Sequence, residues 1–144
     1  SVDCEVVSQG QVAWRRGADG KPAETFGAGA TLFKGPLMMA AAGTVPFYGY
    51  ELKMFPFAGK RRGMFDLRVG KLPTTQILAN LPRLWNGTWF PEGLHDFLAT
   101  DVSIRFSRPM PFQMAGDAEG HREELRIQTA AETIEVCDFS GASN

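Results

Sequence analysis

The chain has little that would staple it, anchor it or charge it in one direction. Only two cysteines, Cys4 and Cys137, occur in 144 residues. They lack metal-ligand spacing and make no disulfide framework. They are expected to be buried free thiols in a reducing compartment. Long apolar runs are missing as well. A bilayer-spanning helix needs about 18 or more apolar residues in a row, and the longest run here, Leu37 to Ala42, has the length of a buried strand. Charge is balanced, with 15 Lys and Arg against 16 Asp and Glu for a net charge of −1. That removes the general electrostatic case for a nucleic-acid partner or an anionic membrane, leaving only a local basic patch. No repeat of fixed period is present. No charged–apolar–small leader is visible, and the strand-like start at Ser1-Val2-Asp3 is expected to lie inside a longer, cytoplasmic protein.

What the chain does have is punctuation. Its 16 glycines and 9 prolines are spread throughout, cutting the sequence into short segments in the manner of an all-β domain. Strands are expected at Val2–Val7, Gln11–Arg15, Ala30–Phe33, Leu37–Ala42, Tyr48–Met54, Met64–Val69, Val102–Phe106, Phe112–Met114, Glu124–Thr129 and Thr133–Asp138. Lys34-Gly35-Pro36 is expected to separate two of them. One helix is expected over Thr74–Trp85, capped by Thr74 or Thr75. Its Ile77, Leu78, Leu81, Leu84 and Trp85 share a face, and Pro82 should kink or shorten it. Gly93–Ala99 is expected to add a helical turn. The pattern predicts one domain over residues 1–144: mainly β, a two-layer β-sandwich with one short helical insertion.

The segment from Arg108 to Glu123 concentrates polar chemistry. The strand Phe112–Met114 runs into a turn carrying Asp117, Glu119 and His121 among small residues. Asp117 and Glu119 are two apart, so in extended backbone they point the same way. Paired carboxylates can divide the work of proton transfer, although Asp and Gly are also ordinary turn residues. Lys60-Arg61-Arg62, flanked by Phe55, Phe57, Met64 and Phe65, is either a solvated basic turn or a contact for anionic headgroups. Trp85, Trp89 and Phe90 gather with Leu84, Leu94, Phe97 and Leu98, and are expected either to pack the core or to line an apolar pocket. Gly27-Ala28-Gly29 has no following Lys-Ser/Thr and is expected to be a turn rather than a phosphate cradle. No nucleophile elbow or Ser/His/Asp set is apparent.

Three segments, in order and spacing, carry a family resemblance. They are Ala41-Ala42-Gly43-Thr44-Val45-Pro46-Phe47-Tyr48-Gly49-Tyr50, then Met54-Phe55-Pro56-Phe57-Ala58 with Arg62-Gly63-Met64-Phe65-Asp66-Leu67, and last Asp117-Ala118-Glu119. From Gly27 to Phe139 the chain resembles the second domain of the diacylglycerol kinase catalytic family, which includes sphingosine kinases and bacterial lipid kinases. Asp117-Ala118-Glu119 stands where that family has an Asp-Gly-Glu turn.

The resemblance implies a domain that supplies an acceptor pocket and a carboxylate general base for phosphorylating a lipid hydroxyl of diacylglycerol or sphingoid type. Asp117 would be the base, supported by Glu119. Thr44, Tyr48, Trp85, Trp89, Phe90 and Phe97 would contact the lipid. ATP and Mg²⁺ would be held mainly by a nucleotide-binding domain whose Gly-Gly-Asp-Gly-Thr signature this chain lacks, so the chain alone is not expected to be active. A peripheral membrane contact through Lys60, Arg61 and Arg62 fits the same picture. The chain also departs from the family. Phe57 replaces the first Asp of the Pro-Asp-Ala segment and Arg61-Arg62 replace the acidic pair that holds a structural metal in many bacterial members. Arginine offers no oxygen ligand, so no metal is expected there. Asp66 survives, and is expected to be a hydrogen-bond acceptor at a strand end. The departures keep a second expectation open: a non-catalytic β-sandwich module binding lipid or another apolar ligand.

Overall fold

The computed structural model of the chain describes residues 2–17 and 21–132. In order they form β1 (Val2–Ser8), β2 (Ala13–Arg16), β3 (Pro22–Phe26), β4 (Thr31–Leu37), β5 (Met39–Gly43), β6 (Phe65–Gly70), α1 (Thr74–Ala79), α2 (Leu81–Trp85), β7 (Leu94–Ala99), β8 (Asp101–Met114) and β9 (Asp117–Gln128). All strand pairs are antiparallel. One sheet has the order β4-β1-β8-β9 and the other β3-β2-β7-β6-β5. The inner faces share one core, with Val6, Val102 and Ile104 from the first sheet and Leu67, Val69 and Phe97 from the second. The architecture is a two-layer β-sandwich with two short helices, which agrees with the expected fold class.

Alternation sets which side chains go inward. In β1, Val2, Cys4, Val6 and Ser8 are buried while Asp3 is exposed, the period of a strand with one face on a core. Burial and neighbouring Glu5 push the Cys4 thiol up to about 11, which keeps it an unreactive core group. β6 differs, because all six of its residues are buried. Phe65, Leu67 and Val69 join the core, so Asp66 and Arg68 are covered on the opposite face, where chain 44–64 crosses.

Several elements depart from expectation, each for a physical reason. Lys34-Gly35-Pro36 does not break the chain; β4 runs through it. Being an edge strand, β4 can carry a proline without losing a ladder bond, and the turn falls at Met38, whose N–H donates to the Gly70 carbonyl (2.9 Å). The helix expected over Thr74–Trp85 is two helices meeting at Asn80 (φ −116°, ψ 19°), since Pro82 has no N–H for a continuous helical ladder. Pro73, not a threonine, caps α1, and neither helix buries a residue. Tyr48–Met54 is not a strand. It closes as a tight loop bridged between Gly49 and Leu52, with Tyr50 and Glu51 both left-handed (φ 46° and 63°).

Gly93–Ala99 is not a helical turn but the central strand β7. Val102–Phe106 and Phe112–Met114 merge into the single long strand β8, through Pro109 and Pro111. β1 pairs with β8 only as far as Phe106, so beyond it β8 has one free edge where a missing N–H costs nothing. The β8–β9 register shifts in the stretches holding both prolines. The strand expected at Thr133–Asp138, and Cys137 with it, lie outside the described residues. Among the described residues no helix is long and apolar enough to cross a membrane.

Candidate functional site

The acidic segment is the far end of a projecting ribbon. Past Phe106, β8 pairs with β9 alone, so the two strands leave the sandwich together and turn at Ala115-Gly116 (φ 52° and 95°). Two consecutive positive φ values suit a tight two-residue hairpin. Asp117 opens β9 opposite Met114, and both Asp117 and Glu119 are exposed. Alternation sends these two carboxylates to one side of the ribbon. Gln113, opposite Ala118, lies on the other side, where its amide donates to the Tyr48 hydroxyl. Tyr48 therefore ties the loop after β5 to the ribbon, on the face away from the carboxylates. His121 is exposed opposite Pro111.

The six residues expected to contact lipid do not converge. Phe97 points into the sandwich core, edge-on to Phe26 with ring centres 6.2 Å apart. Trp89 is buried, whereas Thr44, Tyr48, Trp85 and Phe90 are exposed to differing degrees. Phe90 lies 5.6 Å from Phe57, and both rings flank the Arg16 guanidinium at 3.5 and 4.3 Å. The apolar helical face remains open too: Leu78, Leu81 and Trp85 are exposed.

A second polar centre lies on the outer face of the five-stranded sheet. Asp66 pairs with Leu98, Arg68 with Asp96, and Trp14 with Leu98 across the strands, which places Trp14, Arg16, Asp66, Arg68 and Asp96 together on that face. Arg68 donates two hydrogen bonds to Asp96, Nε to Oδ1 at 2.6 Å and Nη2 to Oδ2 at 3.2 Å. Arg16 approaches the same carboxylate at 4.0 Å. The Phe57 N–H donates to Asp66 Oδ2 at 3.0 Å, while Oδ1 is buried without a hydrogen-bond partner among the described residues. Burial, and then the nearby Asp96 charge, push the Asp66 carboxyl up to about 7, against the pull of the Phe57 N–H, Arg68 and Arg16. Arg61 of the basic turn lies over the Trp14 ring at 4.0 Å.

Between this floor and the basic turn opens a cleft of about 400 Å³, walled by Trp14, Pro22, Phe57 and Leu98 and charged by Arg16, Lys21, Lys60 and Arg61 around Asp66 and Asp96; Arg15 borders it but turns its guanidinium to His95 and Glu24. A smaller hollow of about 210 Å³ sits on the other sheet, among Glu5, Gln9, Arg105 and Glu124. Neither includes Asp117 or Glu119.

Asp66 as an acceptor was legible in the sequence; its partnership with Arg68, Asp96 and Arg16 was not. The available signal was the pair of charges alternating with Phe65, Leu67 and Val69, which reads equally well as a solvated strand face.

For cofactors, among the described residues no three His, Cys, Asp or Glu side chains gather closely enough to hold a metal ion. The Gly27-Ala28-Gly29 segment is the β3–β4 turn, with the Gly29 N–H given to the Ser8 carbonyl (2.7 Å) and the Ala30 N–H to the Gly27 carbonyl (3.3 Å). These two amides serve the fold, and no Lys-Ser/Thr follows the glycines, so the segment does not fit a nucleotide phosphate cradle. No protein-family model, no curated protein and no solved structure matches this chain.

Proposed function

We propose that this chain is the acceptor domain of an ATP-dependent lipid kinase, presenting a carboxylate general base to a lipid hydroxyl. The observation that carries the reading is the projecting β8–β9 ribbon, which holds Asp117 and Glu119 exposed beyond both sheets. An isolated two-stranded ribbon is marginal in water, so an end free of its own sheet suits a surface that another domain covers. Met114, opposite Asp117, adds exposed apolar area on the carboxylate side, while exposed Val45, Phe47, Tyr48 and Tyr50 lie in the loop tied to the ribbon's other face.

In this reading Asp117 accepts the proton of the lipid hydroxyl as the oxygen attacks, and Glu119 on the same side orients it. In this reading nucleotide and Mg²⁺ belong to a separate nucleotide-binding domain, since this chain carries no Gly-Gly-Asp-Gly-Thr signature. Contact with a cytoplasmic membrane face through Lys60, Arg61 and Arg62 belongs to the same reading.

The test is phosphorylation of a lipid-alcohol panel by the full-length protein with radiolabelled ATP. Asp117→Asn should abolish transfer and leave the unfolding midpoint unchanged, and Glu119→Gln should lower the rate. An active Asp117→Asn protein ends the assignment. The binding-module reading is favoured by one observation, that the larger cleft lies away from the ribbon. It predicts no transfer to any lipid alcohol by the wild-type protein.

A further inference from the structure

We propose that the cleft on the outer face of the five-stranded sheet binds a phosphate monoester, carried by a small organic molecule or by a lipid headgroup, gripped by Lys60 and Arg61 above the buried side chain of Asp66. No residue of the acidic ribbon lines this cleft, so the site stands apart from the role given to Asp117.

Charge is the first support. In a chain of net charge −1, four cationic side chains, Arg16, Lys21, Lys60 and Arg61, meet two carboxylates here among the described residues, while Arg15 turns to the other face, towards His95 and Glu24. Asp96 is committed to the Arg68 clasp, and Asp66 is fully buried at the floor. Among the described residues no carboxylate forms an ion pair with Lys60 or Arg61. The local field therefore favours an anion and disfavours a cation.

Geometry is the second support. Arg61 lies over Trp14 at 4.0 Å, which holds its guanidinium at the cleft, and a guanidinium can fork onto two oxygens of one group. Lys60 adds a point charge on the same turn.

Asp66 is the third. Its Oδ1 is buried, makes no hydrogen bond among the described residues, and belongs to a side chain that borders the cleft. With the carboxyl pushed up to about 7, the protonated form is available near neutrality. It would donate to an acceptor-only phosphoryl oxygen, which removes the cost of an orphaned buried group.

The space decides the rest. About 400 Å³ exceeds what a bare phosphate fills, and the walls of Trp14, Phe57, Pro22 and Leu98 suit an organic body attached to it.

Calorimetric titration of the chain with glycerol 3-phosphate, and co-sedimentation with phosphatidylcholine vesicles with or without phosphatidic acid, test the site. Glycerol 3-phosphate should bind saturably where glycerol does not. The Lys60→Ala/Arg61→Ala double variant should weaken binding by about tenfold or more, the loss of charge-assisted bonds. Lys71→Ala, an exposed cation outside the cleft, should bind as the wild type does. Should the double variant unfold, Lys60→Glu alone serves, with the same expected loss. Binding only to vesicles containing phosphatidic acid, with this same pattern of variants, identifies the lipid as the source. Binding to neither probe overturns the proposal, as does an equal loss from Lys60→Ala and Lys71→Ala, the mark of diffuse surface attraction.

Discussion

Arg68 and Asp96 face each other across β6 and β7 and close a two-bond clasp in which the two side chains are 1% and 5% exposed. Such a pair contributes little net stability relative to an apolar replacement, because desolvation offsets attraction, but breaking it strands a charge. Arg68→Met should cost about 3–5 kcal/mol of unfolding free energy in urea. Arg16 at 4.0 Å is too distant to substitute for the two lost bonds. Arg68→Met/Asp96→Leu should recover most of the loss, and a double variant as unstable as the single one would show that the clasp is not the origin.

Asp66 gives the fold a pH dependence of defined sign. Its carboxyl releases a proton near pH 7 when folded and near 3.8 when unfolded. Below the unfolded value both states are protonated and the contribution is fully present. As pH rises toward 7 the folded state keeps a proton that the unfolded chain has lost, so stability falls, by at most about 1.4 kcal/mol per pH unit. Above 7 the loss levels off. Asp66→Asn can still accept the Phe57 N–H and does not titrate. Its stability relative to wild type should therefore climb from pH 4 to 7 and then hold constant in urea titrations. Parallel profiles would show that Asp66 is not perturbed.

Ala115 occupies a position built for another residue. With φ at 52° before Gly116 at 95°, the hairpin takes a turn that favours Asn-Gly or Gly-Gly, and an alanine in left-handed backbone costs roughly 1 kcal/mol. Ala115→Asn and Ala115→Gly should each raise the urea midpoint, by an amount equivalent to about 0.5–1 kcal/mol. A drop in both would mean the turn is not left-handed.

Gly43 marks a close contact between the sheet and the covering loop. A Cβ there would lie 2.4 Å from the Phe55 ring, and Phe55 precedes the Phe57 N–H that holds Asp66 by only two residues. Gly43→Ala should cost about 1–3 kcal/mol through overpacking. Gly27→Ala, with no atom within 4 Å and ordinary backbone, should be near neutral. Equal effects in thermal unfolding would refute the contact.

The β class and the sandwich were legible because they rest on local signals. Period-two burial in Val2–Val7 and turn residues between short apolar segments suffice to specify strands. The ribbon's carboxylates were legible too, since two-residue spacing in a strand puts Asp117 and Glu119 on one side wherever the strand goes. Gly93–Ala99 has a local pattern that suggests a helical turn, because the strand character of β7 comes from pairing on both edges, with β2 and β6, and such long-range pairing leaves little local trace. Thr74–Trp85 carried a correct helical period, yet its apolar face stays open, because periodicity states what a face is made of and not what covers it.

Sequence by itself determined which residues alternate, where the chain turns, and that charge is scarce in the core-facing positions. Tertiary structure alone decided that Phe97 packs the core instead of a pocket, that Tyr48 reaches Gln113, and that Asp66, Arg68, Asp96 and Arg16 meet beneath the basic turn. Alternation assigns a side chain to one of two faces. Whether that face meets water or a crossing loop depends on strand order and on segments distant in the chain, and burial by such a segment is what changes a charged residue's chemistry.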